Sequence, residues 1–240
     1  YRAMKKINIV YVVTNLRQSG PINQTLYIIR NLNRNIFEPI VITLFSEDKT
    51  SYLKEYQKEG IKIIQLKMNK VFAILKGKEI LLSILEKLNP DIIHAVGIPP
   101  YRLTLKYKKS IHFVTLRNYC FEDYPDKYGK LKGKILAYLD MALIKKQLKK
   151  GEPFVTCSSS LTEIYRVKVG LDIDYIRNGV DISRYVKKDI TQKQKIRQTL
   201  SLPIDKIIFV YSGAIIDRKN QEEAIKGFLS SKHSRSAVLL

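Results

Sequence analysis

Short runs of apolar, mostly β-branched residues alternate along the chain with longer stretches in which apolar positions recur every three or four residues. Ile7 to Val13 opens the series, and Pro39 to Phe45, Ile61 to Leu66, Ile92 to Ala95, Ile111 to Leu116, Phe154 to Ser158 and Ile173 to Ile176 continue it. Runs that stay apolar on successive residues suit strands covered on both faces. Helical patterns lie between them: after Pro21 with Leu26, Ile29 and Leu32 in phase, over about Ser51 to Glu59, over Lys78 to Leu88, and from the end of the Phe154 run through Lys168. Lys134 to Lys150 is another, with Ile135, Leu139, Ala142 and Leu143 on one face. This alternation predicts an α/β fold with a doubly wound parallel sheet.

Turn residues set the boundaries. Pro21 suits a first helical turn, Gly60 a helix stop, and Asn89-Pro90-Asp91 and Gly97 to Pro100 the ends of two further elements. Tyr119 to Gly133 is polar and aromatic and is expected to be a loop, and Asn178-Gly179-Val180-Asp181 reads as a turn. Beyond it come a polar helix over Thr191 to Leu200, a strand over Ile207 to Tyr211, a helix over about Asn220 to Leu229 and a last apolar run, Ala237 to Leu240. The expected organisation is therefore a first domain over 1–180 and, over 181–240, a hinge and the beginning of a second domain. A terminal buried strand needs neighbours and covering helices, so the second domain is expected to be truncated and the 240 residues incomplete for catalysis.

Charge narrows the partners. Against 22 Asp and Glu stand 43 Lys and Arg, a formal charge of +21, so an anionic partner is expected. No helix-turn-helix, zinc-finger or RNP-like pattern accompanies the charge, and nucleic acid is not expected. Cys120 and Cys157 have neither CxxC spacing nor a histidine cluster beside them. No stretch reaches the roughly 18 to 20 apolar residues of a spanning helix, and the start lacks the apolar region and cleavage site of a signal peptide. The expected location is cytoplasmic, with the inner face of the plasma membrane as a candidate contact. Lys130, Lys132, Lys134, Lys145, Lys146, Lys149 and Lys150 surround one apolar helix, which suits either an anionic membrane surface or an ordinary basic surface.

Candidate chemistry is sparse. The loop after the first strand holds Ser19-Gly20-Pro21, which suits either an anion approaching a helix N-terminus or a plain turn. It is not GxGxxG, and no GxxxxGK[ST] occurs, so dinucleotide and P-loop sites are not indicated. Arg218-Lys219 is either a diphosphate grip or a solvated basic turn. His94 and His112 lie on or beside strands and are expected to be satisfied structural residues. Asp172 and Asp174 have DxD spacing but precede the hinge, and no metal and no cofactor is expected. The acidic and aromatic segment Tyr119 to Pro125 follows the fifth strand at the carboxyl edge of the sheet, where open α/β sheets bind ligands; it either meets an acceptor sugar or packs as surface loop.

Several segments in order make a recognisable series: the lysine-led first strand with Gly20-Pro21 and Gln24, Pro90-Asp91-Ile92-Ile93-His94, Cys157-Ser158, Asn178-Gly179-Val180-Asp181, and Tyr211-Ser212-Gly213 followed by Arg218-Lys219-Asn220. The chain resembles the retaining family 4 glycosyltransferases with the GT-B fold. That resemblance implies two Rossmann-like domains facing a cleft, a nucleotide diphosphate-sugar donor held mainly by the second, and a glycan or lipid-linked acceptor held mainly by the first. It implies donor contacts at Gly20, Pro21, Gly213, Arg218 and Lys219, catalytic roles for Lys219, Arg218 and Arg117, and acceptor contacts at Asn118, Tyr119, Glu122 and Asp123. The sequence departs from the family at three points. Ala214 stands where many members carry an arginine, and Arg117 and Asn118 stand where many carry a histidine. The Glu-x7-Glu motif is absent, for Glu47 and Glu55 have its spacing in the wrong domain. The implied activity is hexosyl transfer in bacterial surface polysaccharide assembly; a nucleotide-sugar epimerase or phosphorylase on the same fold is the alternative, and a basic nucleic-acid-binding protein a more distant one.

Overall fold

The computed structural model describes residues 5–213, 215 and 217–240; Tyr1 to Met4 and Ala214 fall outside them, as does the side chain of Arg218. The chain divides after Asp181 into two compact units. In the first, β1 (Ile7–Val13), α1 (Gly20–Arg30), β2 (Phe37–Phe45), α2 (Leu53–Lys58), β3 (Lys62–Met68), α3 (Lys70–Leu75), α4 (Gly77–Leu88) and β4 (Ile92–Ala95) follow one another. Then come α5 (Ile98–Thr104), β5 (Ile111–Leu116), α6 (Cys120–Tyr128), α7 (Lys130–Leu148), β6 (Phe154–Thr156) and α8 (Ser159–Val169).

Six parallel strands pair in the order β3-β2-β1-β4-β5-β6, a Rossmann-like sheet. Period-two geometry sends alternate side chains of β1 to opposite faces. Ile9, Tyr11 and Val13 pack with Leu26 and Ile29 of α1. Val10 and Val12 pack with Leu81 and Leu85 of α4. A third cluster joins Val114 and Leu116 of β5 to Ala137, Met141 and Ile144 of α7 and Tyr165 of α8. With both faces covered, the strands have no polar side to alternate with, which is why they read as unbroken apolar runs.

Three expectations need correction. The stretch from Tyr119 is not a loop: Cys120 to Tyr128 is helical, with Pro125 inside it, and Gly129, at φ +83°, divides it from α7. Proline and glycine mark a break in the sequence, yet here they separate two helices. Second, the helix expected over Lys134 to Lys150 runs over Lys130–Leu148, and the apolar positions in phase along α7 are not its buried side. Its buried side is Gly133, Ala137, Asp140, Met141, Ile144 and Gln147, while Ile135 and Leu139 are 52% and 54% exposed. The cause is close packing, since a Cβ on Gly133 would lie 2.6 Å from backbone atoms of Tyr124 and Pro125. Small residues let the two backbones meet and leave the long side chains outside. The buried Asp140 carboxylate is held by Arg102 of α5 and the Tyr124 hydroxyl of α6. Third, Ile173 to Ile176 makes no strand; Tyr175 forms a single bridge to Thr156, whose N–H donates to the Asp174 carbonyl and whose carbonyl accepts the Ile176 N–H.

The second unit holds a 3-10 turn at Ile182–Arg184, α9 (Ile190–Thr199), β7 (Ile207–Phe209), a 3-10 turn at Asp217–Lys219, α10 (Gln221–Ser230) and β8 (Ala237–Leu239). β7 and β8 pair in parallel as a two-stranded sheet. Among the described residues, no helix is long and apolar enough to cross a membrane.

Candidate functional site

The strand order of the first unit reverses between β1 and β4. In an open parallel sheet the two crossovers then diverge, and a crevice opens beyond the carboxyl ends of the strands. A cavity of about 190 Å³ lies there. Its walls come from Pro21 at the start of α1, Val96 to Pro99 after β4, Thr115 to Asn118 at the end of β5, and Asp123, Tyr124 and Lys127 of α6. Gly97 makes the turn out of β4 at φ +96°, where a side chain would be strained. The loop after β1 is braced from below its tip: both Glu47 carboxylate oxygens accept the Leu16 N–H, at 2.9 and 3.1 Å, and one accepts the Ser51 hydroxyl at 2.7 Å.

Two buried histidines behave differently from each other. His94 Nε2 is 3.0 Å from Thr115 Oγ1, and its ring sits between Tyr11 and Phe113. Burial, and then the positive charge of Arg117, bring its pKa down to about 3. His112 was expected to be satisfied, yet neither ring nitrogen has a hydrogen-bond partner among the described residues. Burial, and then Lys108, lower it to about 4, and Tyr101 packs edge-on against it.

The structure brings together four of the residues singled out from the sequence: Pro21, Arg117, Asn118 and Asp123 all line the cavity. Gly20 is the exposed first residue of α1 with open space around it. Tyr119 and Glu122 do not line the cavity. Tyr119 is buried against Phe121 and Tyr165 with the Lys168 ammonium 5.2 Å from its ring centre, and Glu122 is exposed and pairs with Lys168 at 2.6 Å. Tyr124, within the Tyr119 to Pro125 segment put forward for acceptor contact, lines the cavity too, while Lys127 and Thr115 line it and were missed. The Asp123 and Lys127 spacing, which gives a 2.5 Å ion pair one helical turn apart, could have revealed Lys127 had the segment been read as a helix.

In the second unit, Lys219 ends the 3-10 turn immediately before α10, and its backbone carbonyl accepts the Tyr211 hydroxyl. Asn220 takes left-handed backbone angles to start the helix. Gly213 lies beside the Lys219 side chain: a Cβ there would be 3.9 Å from its Cγ and Cδ. A lysine at this point adds a cation to a helix N-terminus, and both favour an anion. Among the described residues, no three His, Cys, Asp or Glu side chains gather to hold a metal ion.

A family model described as Glycosyltransferase Family 4 matches residues 19–184. The chain belongs to glycosyltransferase family 4. Its fold, an α/β architecture of GT-B type, is shared with a glycosyltransferase from Rickettsia africae ESF-5, at a TM-score of 0.60 and 20% identity over 88% of this chain and 54% of that one. It is shared too with a protein of Listeria monocytogenes designated a UDP-N-acetylglucosamine 2-epimerase, at a TM-score of 0.57 and 10% identity over 98% of this chain and 62% of that one. This family 4 chain thus spans a little over half the length of those two proteins. No curated protein sequence matches it.

Proposed function

We propose that the protein transfers a sugar of hexose type from a nucleotide diphosphate donor to a glycan or lipid-linked acceptor, in the assembly of a bacterial surface polysaccharide. The observation that carries this reading is the cavity at the switch point of a family 4 domain, walled by Arg117, Asn118 and Asp123. In this reading the cavity takes the acceptor, with Asn118 and Asp123 as its polar contacts. Tyr119 and Glu122 act from behind by holding α6 against α8. The donor diphosphate lies at Gly213, Arg218 and Lys219. As the glycosidic bond to the leaving group breaks, negative charge grows on the departing phosphate, and the Lys219 ammonium next to the α10 N-terminus stabilises it. The donor is a substrate, and no further cofactor enters.

In a radiolabelled transfer assay with the full-length gene product, Lys219→Ala is expected to lower kcat by roughly 10² to 10³, the effect of deleting one preorganised donor. A near-normal kcat would overturn the role given to Lys219. Nucleotide-sugar turnover that needs no acceptor would instead point to an epimerase.

A contact with the inner face of the plasma membrane belongs to the same reading. What supports it is the outward face of α7, where Leu131, Ile135, Tyr138 and Leu139 are more than half exposed among Lys132, Lys134, Lys145 and Lys146. An apolar stripe flanked by lysines suits the headgroup region of an anionic bilayer. The chain is expected to sediment with anionic vesicles and to leave them as salt rises. Changing Lys145, Lys146, Lys149 and Lys150 to Gln should weaken binding by up to about 1 kcal/mol per residue. Equal binding to neutral vesicles counts against this contact.

A further inference from the structure

Arg117 combines a buried guanidinium nitrogen with the absence of any ion pair among the described residues. It sits at the end of β5 and lines both the cavity of about 190 Å³ and a second of about 100 Å³ whose walls include Gln24, His94 and Gly179. Its Nε is buried with no hydrogen-bond partner among the described residues. Nη1 donates to the neutral Oδ1 of Asn178 at 3.0 Å. Burial lowers its pKa, and no described carboxylate forms an ion pair with it. Guanidinium stays protonated even where burial lowers its pKa, so the fold holds a half-buried cation at a steep desolvation cost.

The other walls are matched to the same task. The N-terminus of the eleven-residue helix α1 reaches the cavity through Pro21. Its first turn carries no acidic residue, and the Ser19 side chain makes no capping bond; Pro21 has no N–H and the Asn23 amide already donates to the Ser19 carbonyl at 2.9 Å, which leaves the Gly20 and Ile22 amides without a partner within the helix. His94, beside Arg117, is held neutral, and its proximity adds no second charge. Lys127 also lines the cavity but is already paired with Asp123.

We propose that this cavity binds a phosphate-type oxyanion of a substrate, with the Arg117 guanidinium as the cation and the first-turn amides of α1 as further donors. The inference rests on the sugar-transfer reading and deepens it: the acceptor presents a phosphate to the first unit. A guanidinium left with open N–H groups can meet two phosphate oxygens at once, a geometry that a neutral amide oxygen does not use up.

The test titrates the 240-residue chain with inorganic phosphate, glycerol phosphate and uridine diphosphate, with glucose as the uncharged control, and follows amide NMR shifts. Phosphate is expected to move the amides of Gly20 and Ile22, and Arg117→Gln to weaken it at least tenfold. Asn178→Ala, which removes the neutral competitor, should bind as tightly or more tightly. Arg117→Lys keeps the charge but not the fork, and should fall between the native chain and Arg117→Gln. It also serves as the second variant if Arg117→Gln fails to fold. Glycerol phosphate is expected to bind at those amides more tightly than uridine diphosphate does; the reverse order would give the anion to the donor and overturn the acceptor assignment. Phosphate that leaves those amides unmoved, or binds Arg117→Gln as it binds the native chain, overturns the site, as does weakening by Asn178→Ala equal to that by Arg117→Gln. Phosphate binding without any sugar transfer by the full-length product would leave the site standing and remove the transferase reading.

Discussion

The two units are written in the same alternation of strand and helix but reach different degrees of closure. In the first, six parallel strands bury both faces, and β1 lies almost wholly out of solvent, with Val10, Val12 and Val13 at 0% exposure. In the second, β7 and β8 are three residues each, Ile207 and Phe209 are exposed, and Ala237 alone among the described residues is buried. An apolar hollow of about 650 Å³ lies over α10 and β8, lined by Ile225, Phe228, Leu229 and Leu239. The lesson is that pattern specifies elements while burial decides how firmly they are held. A two-stranded parallel ribbon with two short helices has too few faces to cover its own apolar residues.

The comparison breaks most visibly in hydrogen exchange. Amides of β1, hydrogen-bonded on both sides by β2 and β4, should exchange only by global opening, whereas those of β7 should exchange by local opening. The expected gap in protection is at least about a thousandfold, or roughly 4 kcal/mol. Equal protection of Val12 and Ile208 in the 240-residue chain would show that the second unit is held as firmly as the first.

Much of the first unit could be read from sequence because its strands are covered on both sides, so the apolar run and the strand coincide; β1, β2, β4 and β5 all fall within two residues of expectation. The site was legible only in part. Arg117, Asn118 and Pro21 follow from their position after a strand, which is a local property. Lys127 depends on a helix that Pro125 and Gly129 hide, and the buried side of α7 depends on what Gly133 packs against. Contacts such as Glu47 to Leu16, thirty-one positions apart, have no local trace at all. Residues 70–75 and 98–104 were likewise unread as helices, since each makes less than two full turns and gives too short a window for periodicity.

A smaller difference should appear with pH. His94 and His112 belong to the first unit, with folded pKa values lowered to about 3 and about 4 from 6.5, mainly by burial. Below 6.5 the unfolded chain takes up a proton at each while the folded chain does not. Stability is thus full above that pH and declines as pH falls, until each folded pKa is reached. Each histidine contributes a slope of up to about 1.4 kcal/mol per pH unit, so the two together should remove about 2 to 3 kcal/mol between pH 6 and pH 5. Urea melts of the first unit at the two pH values measure it. His112→Phe, which removes two unpartnered nitrogens, should reduce the slope by half. An unchanged slope in that variant would mean that His112 takes its proton in the folded state.

The smallest effect distinguishes the units by sign. Glycine inside a helix costs about 0.5 to 1 kcal/mol relative to alanine, so propensity alone favours Gly→Ala in either unit. In α10, Gly227 has nothing within 4 Å of an added Cβ, and Gly227→Ala should raise the protection of α10 amides by that amount. In α7 the same methyl would stand 2.6 Å from the Cα and N of Pro125 and the C of Tyr124, and backbone, unlike a side-chain tip, has no rotamer to retreat into. The helices must separate, loosening Ala137 and Met141 from the core and the Asp140 carboxylate from the Tyr124 hydroxyl. Overpacking of this kind costs typically 1 to 3 kcal/mol, which outweighs the propensity gain, so Gly133→Ala should destabilise the first unit by about 1 to 2 kcal/mol in a denaturant melt. Since α6 lines the cavity through Asp123, Tyr124 and Lys127, the same variant should also shift amides around Arg117. Stabilisation by Gly133→Ala would mean that α6 and α7 lie farther apart than this packing requires, and that the outward face of α7 has some other cause.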